Sequence, residues 1–285
     1  MIRDEDLEDY LTRLEVLGRS QVTIKNYRAF LEPFIRYTRD HDLTPENCRE
    51  LIEAYQLHLK RDHYYNNESL KTATTVIKLF LTKLGYPCQG VELPKTRKRL
   101  PKYLSRDEVE KLLQAPGGVY ETRDRAVLRL LYTSGLRVSE LVALNIEDVD
   151  FNEGTVKVND GKGGRDRVTY TDRETLQLLK DMIYKRTRKG REDKGPALFT
   201  TRSGDRISTR SIQRIVKKTS QEAGLEKRVT PHIIRHSFAA NSLEEGFNIK
   251  EIQQLLGHSS LSSTEIYTQI KPKDLEKKYK KLKWD

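Results

Sequence analysis

The sequence predicts a mainly α-helical protein of two domains, a four-helix N-terminal domain followed by a mixed α+β domain with a small antiparallel sheet. Three observations predict it. The chain has 285 residues, enough for about two domains of roughly 150 residues each. Apolar residues recur at helical spacing through the first 86 positions, without the alternation of a strand. Paired β-prone runs appear once, between residues 155 and 170, on either side of a Gly-rich tip.

Leu7, Tyr10, Leu11, Leu14 and Leu17 make the apolar stripe of a first helix that Gly18 stops. A second runs from Ser20 to about His41 with Ile24, Tyr27, Leu31, Phe34 and Ile35 on one face. Thr44 followed by Pro45 reads as N-cap and first turn of a third, whose stripe is Leu51, Ile52, Tyr55 and Leu59. A fourth begins near Asn67, carries Leu70, Ala73, Val76, Ile77, Phe80 and Leu84, and ends at Gly85. These four form the domain 1–86. Residues 87–102 hold three prolines and five basic residues against one Glu, and they have no apolar period. They read as an extended basic linker, because proline disfavours helix in the residue before it.

The second domain, 103–285, opens with the capping box Ser105 and Glu108 ahead of Val109, Leu112 and Leu113. A helix from about Thr122 to Thr133 is broken by Gly135. The runs Thr155–Val158 and Arg167–Tyr170 form a hairpin across the tip 159–164. Helices follow near 173–188, 208–223, 231–244 and 249–256, then a short one opening at Ser262 or Ser263. A tail, 272–285, sets Leu275, Tyr279 and Leu282 on one narrow helical stripe among lysines.

Composition excludes several classes. The longest apolar run, Leu141–Leu144, is four residues, against the roughly 20 of a membrane-spanning helix. The first ten residues are acidic where a secretory signal would be basic and then apolar. Cys48 and Cys88 are too few and too far apart in sequence for a disulfide framework or a CxxC metal site, so the expected compartment is the cytoplasm and thiol catalysis is not expected. The formal net charge is +11, yet residues 1–86 hold 13 basic and 14 acidic side chains, so the excess lies entirely in the remainder, 40 against 28. A basic excess confined to one part of a chain points to a polyanion, nucleic acid first, although a solvated Lys/Arg surface would look the same.

Four segments of the second domain concentrate polar residues. In 133–141, Gly135 allows a tight break before a new helix, placing Arg137 near its start with Glu140 three residues on, within reach of the guanidinium. That is a fitting place to hold phosphate, though an Arg–Glu pair on a helix is commonly structural. In the hairpin tip, glycines leave Lys162 on a loop where it could donate a proton or charge to an anion, or simply make a polar turn. In 230–236, Thr230 as N-cap and Pro231 at the first position put His232 and Arg235 on one face of a helix's first turn. His232 and His236 have the spacing of a zinc-protease pair, but Ile233 stands where the required Glu would be, so no metal site is expected. In 255–267, Asn248 with Glu251 caps a helix that Gly257 ends, His258 lies in the next turn, and Ser262 with Glu265 places Tyr267 in the first turns of another helix.

Together the Arg of SGLRVSEL, the Lys of GKGGRDR, the His and Arg of PHIIRH, the His of LLGH and the Tyr of STEIYT resemble the tyrosine recombinase (phage integrase) family, and within it the Xer-type recombinases, including archaeal members. The resemblance implies a catalytic domain over roughly 100–270 and a SAM-like, DNA-clamping core-binding domain over the four helices. It implies that Tyr267 attacks the scissile phosphate to form a 3′-phosphotyrosyl bond and free a 5′-hydroxyl. Arg137 and Arg235 would hold the non-bridging oxygens, Lys162 would protonate the leaving oxygen, His232 would act as general base, and His258 would hydrogen-bond the phosphate. Glu140 would orient Arg137. Neither metal nor other cofactor is implied. Candidate DNA contacts are Lys25, Arg28, Arg36 and Arg39 on the second helix, Lys71, Thr74, Thr75 and Lys78 on the fourth, Lys95, Arg97, Lys98 and Arg99 in the linker, and Arg165 beside the hairpin tip. Gln269 stands where many relatives carry a His, outside the catalytic set.

The expected partner is double-stranded DNA at a specific site, with self-association into a tetrameric synapse through exchange of the 272–285 tail. The expected role is resolution of chromosome dimers at a dif-like site by a nucleoid-associated protein. Two alternatives share part of this pattern: a type IB topoisomerase, which has the same chemistry, and a non-catalytic architectural DNA-binding protein. The small helical first domain and the tail favour a recombinase, and binding alone has no use for Tyr267.

Overall fold

A computed structural model describes residues 2–41, 43–96, 103–159, 166–188 and 195–257. The chain forms two compact units, Met1–Arg99 and Leu100–Asp285.

The first unit is built from α1 (Asp4–Val16), α2 (Gln21–Arg39), α3 (Cys48–Arg61) and α4 (Asn67–Lys83). Ser20 caps α2 by accepting from the Thr23 N–H at 3.2 Å, and Asn66 caps α4 by accepting from Ser69 at 2.9 Å. The apolar stripes meet in one core in which Leu31, Phe34, Ile35, Ile52, Ile77, Phe80 and Leu81 lose essentially all solvent contact. Tyr10 sets its ring edge-on to Phe80 at 5.2 Å, and Phe34 does the same to Tyr55 at 5.1 Å.

Three expectations change here. Thr44 and Pro45 do not start α3. Thr44 and Asn47 instead exchange backbone-to-side-chain bonds of 2.8 and 3.3 Å, closing a turn that delays the helix to Cys48. Residues 87–96 form neither helix nor strand, turn at Gln89–Gly90, where Gly90 is left-handed at φ 77°, and are bound down within the first unit rather than free-standing. Cys88 and Val91 are buried, and the carbonyls of Val91, Glu92 and Lys95 accept from Lys78, Gln56 and Asn67. The two cysteines, remote in sequence, are adjacent in space, with buried sulfurs 3.7 Å apart.

The second unit opens with α5 (Arg106–Gln114), whose Ser105–Glu108 capping box is formed. The long α6 (Glu121–Ser134) is its central helix, with Ala126, Val127, Leu128, Leu130 and Leu131 fully buried. After α7 (Val138–Ala143) and a short 3-10 turn, three antiparallel strands follow in sequential order: β1 (Val149–Asp150), β2 (Thr155–Val158) and β3 (Arg167–Tyr170). Val156 pairs with both Val149 and Thr169, which sets the register of the sheet. β1 was not expected, because two residues carry no periodic signal. The helices α8 (Arg173–Arg188), α9 (Thr209–Glu222), α10 (Pro231–Glu244) and α11 (Ile249–Leu256) complete the described part. No helix among the described residues is long and apolar enough to cross a membrane.

Burial pushes the Cys48 thiol up to about 12, with Cys88 adding to the shift, so Cys48 carries almost no thiolate at neutral pH. A thiol-reactive aromatic disulfide is therefore expected to leave Cys48 untouched in the native protein and to label it on unfolding, which mass spectrometry of the labelled peptides would read.

Candidate active site

α6 stops where Gly135 turns left-handed, at φ 60°. Glycine is required by space as well as by backbone: a Cβ there would stand 2.6 Å from Phe238 on α10 and 2.7 Å from Leu256 on α11. The break lets three chain segments meet and delivers Arg137 as the extended N-cap of α7. Glu140, at the third position of that helix, accepts from the Arg137 backbone N–H at 2.7 Å and from its guanidinium at 2.6 Å. The pairing expected from the sequence is formed.

α10 supplies the next two groups. Thr230 accepts from the Ile233 N–H at 3.3 Å and Pro231 begins the helix, as its sequence demands. Two polar side chains lock α10 in place: Ser237 accepts from the Leu104 N–H at 2.8 Å, and Asn241 donates to the Tyr132 hydroxyl at 3.0 Å. Arg235 is thereby held almost fully buried, donating to the carbonyls of Gly135 and, at 2.7 Å, of Leu256, with Glu140 3.7 Å away. His232 keeps solvent access at the rim of the same cluster.

A third arginine, not singled out in the sequence, comes from β3. Arg167 grips both oxygens of Glu140, at 2.9 and 2.8 Å, and its Nε donates to the Leu255 carbonyl at 3.0 Å. Its signal in the sequence was a basic residue opening a strand beside a basic tip, which reads equally as surface. The last carbonyls of α11 are thus divided among three guanidiniums: Leu255 to Arg167, Leu256 to Arg235, and Gly257 to Arg137 at a longer 3.4 Å. A helix C-terminus carries roughly half a negative charge, so this is where cations gain most. Three guanidiniums around one carboxylate leave a surplus of two positive charges in a largely dry pocket.

The titrating groups respond accordingly. Burial alone would raise the Glu140 carboxyl, but the hydrogen bonds and charge of Arg167, with those of Arg137, outweigh it and hold the group at about 2. His232 is lowered from 6.5 by desolvation first and then by Arg235 and Arg137, so it is neutral at physiological pH and able to take a proton. His236 is driven to about 4 by burial, His232 and Arg235.

The structure therefore brings together Arg137, Glu140, Arg235 and His232. Lys162, Arg165, His258, Tyr267, Arg97, Lys98, Arg99, the Ser262–Glu265 box and the tail 272–285 lie outside the described residues. No group of three or more metal-ligating side chains with suitable geometry occurs among the described residues. Of the candidate DNA contacts in the first unit, Lys25, Arg36, Lys71 and Lys95 are exposed. Arg28 is engaged by Glu8 and Glu32, Arg39 by Asp4 at 2.6 Å, and Lys78 donates to the Val91 carbonyl at 3.1 Å. Thr74 is a correction: it faces the core, bonded to the Leu70 carbonyl and to Gln56, while Thr75 alone of the pair is exposed.

Residues 102–274 match the phage integrase family, and the chain belongs to that family. It is an enzyme of the tyrosine site-specific recombinase class, which cleaves and rejoins DNA strands. Its sequence is similar to the tyrosine recombinase XerA of Pyrococcus furiosus, at 37% identity over 96% of this chain and 93% of that one. It is also similar to XerA of Thermococcus kodakarensis, at 35% over 98% and 96%. Among solved structures, a XerA recombinase is 31% identical over 99% of both chains with a TM-score of 0.59. A XerH recombinase bound to palindromic difH substrate has a TM-score of 0.76 over 96% of this chain and 83% of that one, at 20% identity, which shows likeness of fold.

Because Glu140 titrates near 2 in the folded protein against its ordinary 4.5, it contributes about 3 kcal/mol of stability above pH 4.5, lost as pH falls through about 2. Denaturant titrations across that range are expected to show this loss in the wild type and a flattened dependence in Glu140→Gln.

Proposed function

We propose that the protein is a Xer-type recombinase that cleaves and rejoins DNA at a dif-like site through a covalent 3′-phosphotyrosyl intermediate, and so resolves chromosome dimers. The observation that carries the reading is the buried surplus of two positive charges around Glu140. A phosphodiester bears one negative charge, and attack by a phenol that loses its proton makes the pentavalent transition state a dianion, which such a preorganised site favours over the ground state. Arg137 and Arg235 hold the non-bridging oxygens. His232, kept neutral, accepts the proton of the Tyr267 hydroxyl as that oxygen bonds to phosphorus. The bond to the 5′-oxygen breaks, Lys162 gives that oxygen its proton, and His258 hydrogen-bonds the phosphate. The phosphotyrosine retains the energy of the phosphodiester, so rejoining to a new 5′-hydroxyl needs no cofactor.

The similarity to XerA proteins over nearly the whole chain supports the chromosomal role. In this reading residues 1–86 clamp double-stranded DNA together with the basic segment 87–102, whose Lys95, Arg97 and Arg99 follow the backbone. Lys25, Lys71 and Arg165 add phosphate contacts, and Arg28 and Lys78 do so only after leaving their present partners. The domain 103–285 cleaves, and its 272–285 tail passes between protomers of a tetrameric synapse on cytoplasmic, nucleoid DNA.

The test is to incubate the protein with nicked genomic fragments of its own source and capture covalent adducts on denaturing gels. The expected outcome is an adduct at one recurring sequence, lost in Tyr267→Phe and slowed by about 10²–10³-fold in Arg235→Ala. Plasmids carrying two copies of that sequence are expected to yield deletions or inversions; relaxed topoisomers alone would indicate a topoisomerase, and sequence-specific binding without any adduct an architectural protein.

The same assay run against pH gives a separate expectation. As the imidazole of His232 is lowered from 6.5, the single-turnover rate should hold through neutrality and decline only below pH 6.5. An acid limb centred above 7 would exclude His232 as the base.

A further inference from the structure

Arg167 belongs to none of the six positions that carry the chemistry above, yet its side chain is among the least exposed of the cluster, at 9%. It leaves β3 and spans to two other elements, α7 through both oxygens of Glu140 and α11 through the Leu255 carbonyl. Gly257 makes room for it. A Cβ at that position would stand 2.7 Å from Arg167 Cδ and 3.1 Å from Nε and from one terminal nitrogen, and the backbone there has φ 63°. The turn that ends α11 is therefore shaped around this stem as well as by its left-handed geometry.

The electrostatics give the contact a purpose. A lone carboxylate beside Arg137 would orient that guanidinium and at the same time cancel its charge. With Arg167 bound to both of its oxygens, Glu140 still orients Arg137, while the cluster as a whole stays positive. Removing one partner from a buried ionic network also leaves the others uncompensated, so the arrangement of the remainder depends on it.

We propose that Arg167 is a positioning residue for strand cleavage: by clamping Glu140 and the end of α11, it fixes the orientation of Arg137 and preserves the positive surplus that receives the phosphate. The inference rests on the reading that this cluster is the phosphate site. Arg167 does not touch the reacting atoms; it acts through Glu140. Displacing a phosphate-binding group by about 1 Å can cost on the order of 10²-fold in rate.

The experiment uses the full chain as Arg167→Ala, Arg167→Lys and Glu140→Gln, and the double variant Arg167→Ala/Glu140→Gln. Two readouts are taken on protein whose native fold is checked by circular dichroism. The first is the NMR signal of the Arg137 Nε–H, assigned by its loss in Arg137→Lys. The second is the single-turnover rate of adduct formation on a nicked duplex carrying the sequence recovered by genomic capture, with binding of the same duplex measured separately. Faster exchange of the Arg137 signal in Arg167→Ala is expected, with partial restoration in Arg167→Lys, a rate loss of about 10²-fold and duplex affinity within about threefold of wild type. In the double variant, loss of Arg167 should cost little beyond Glu140→Gln itself.

An unchanged Arg137 signal in folded Arg167→Ala overturns the proposal, as does a fully multiplicative loss in the double variant, which would mean that Arg167 acts independently of Glu140. If Arg167→Ala does not fold, the same comparisons are read on Arg167→Lys, which keeps the charge but not the fork. If the wild type forms no adduct on any genomic fragment, the recombinase reading fails, and the NMR comparison alone still decides whether Arg167 holds Arg137.

Discussion

Burial of one carboxylate among three guanidiniums is the constraint on which the second unit is arranged. Glu140 is desolvated and would be costly there alone, and Arg235 would be equally costly without acceptors. Each is compensated by groups from a different stretch of chain: Arg137 from the start of α7, Arg167 from β3, and carbonyls from Gly135 and the end of α11. The apolar core around α6 brings these stretches near one another. The polar cluster then fixes their mutual orientation to the tolerance of hydrogen bonds.

The two glycines at the edges of this cluster do different work from those that end surface helices. Gly135 and Gly257 both adopt the left-handed conformation, and at both a side chain would collide with packed atoms, the ring of Phe238 and Leu256 in one case and the stem of Arg167 in the other. The adjoining turns are consequently where backbone carbonyls face inward and accept from arginine rather than from water. The arginines give the site its positive character, and the way the main chain terminates α11 decides where their guanidiniums are held.

Much of this was legible before any coordinates. Helices with a clear stripe, such as α2 and α4, with stripe and capping box together, such as α5, or with a strong N-cap, such as α10, declared themselves because their local chemistry agrees with the structure they form. The pairing of Arg137 with Glu140 and the shared face of His232 and Arg235 followed from helical spacing. What the sequence did not display were relations between distant segments. Arg167 lies 27 residues from the carboxylate it grips, and Cys88 lies 40 from the sulfur it touches. Thr74 looked like part of a polar face because a threonine bonded back to its own helix can enter a core without leaving its hydroxyl unsatisfied. Thr44 and Asn47 satisfied each other in a turn, which local propensity alone does not separate from a cap.

The clamp on α11 also sets a length scale. Arginines hold the peptide up to Gly257, and Tyr267 lies ten residues further along the chain. Fully extended, such a tether spans at most about 35 Å, and any regular structure shortens it. In the proposed reading Tyr267 is the nucleophile, so the length of the segment 258–266 limits where its phenol can be presented, independently of the charge of the arginine cluster: residues inserted there or removed would change that reach and leave the guanidiniums around Glu140 as they are.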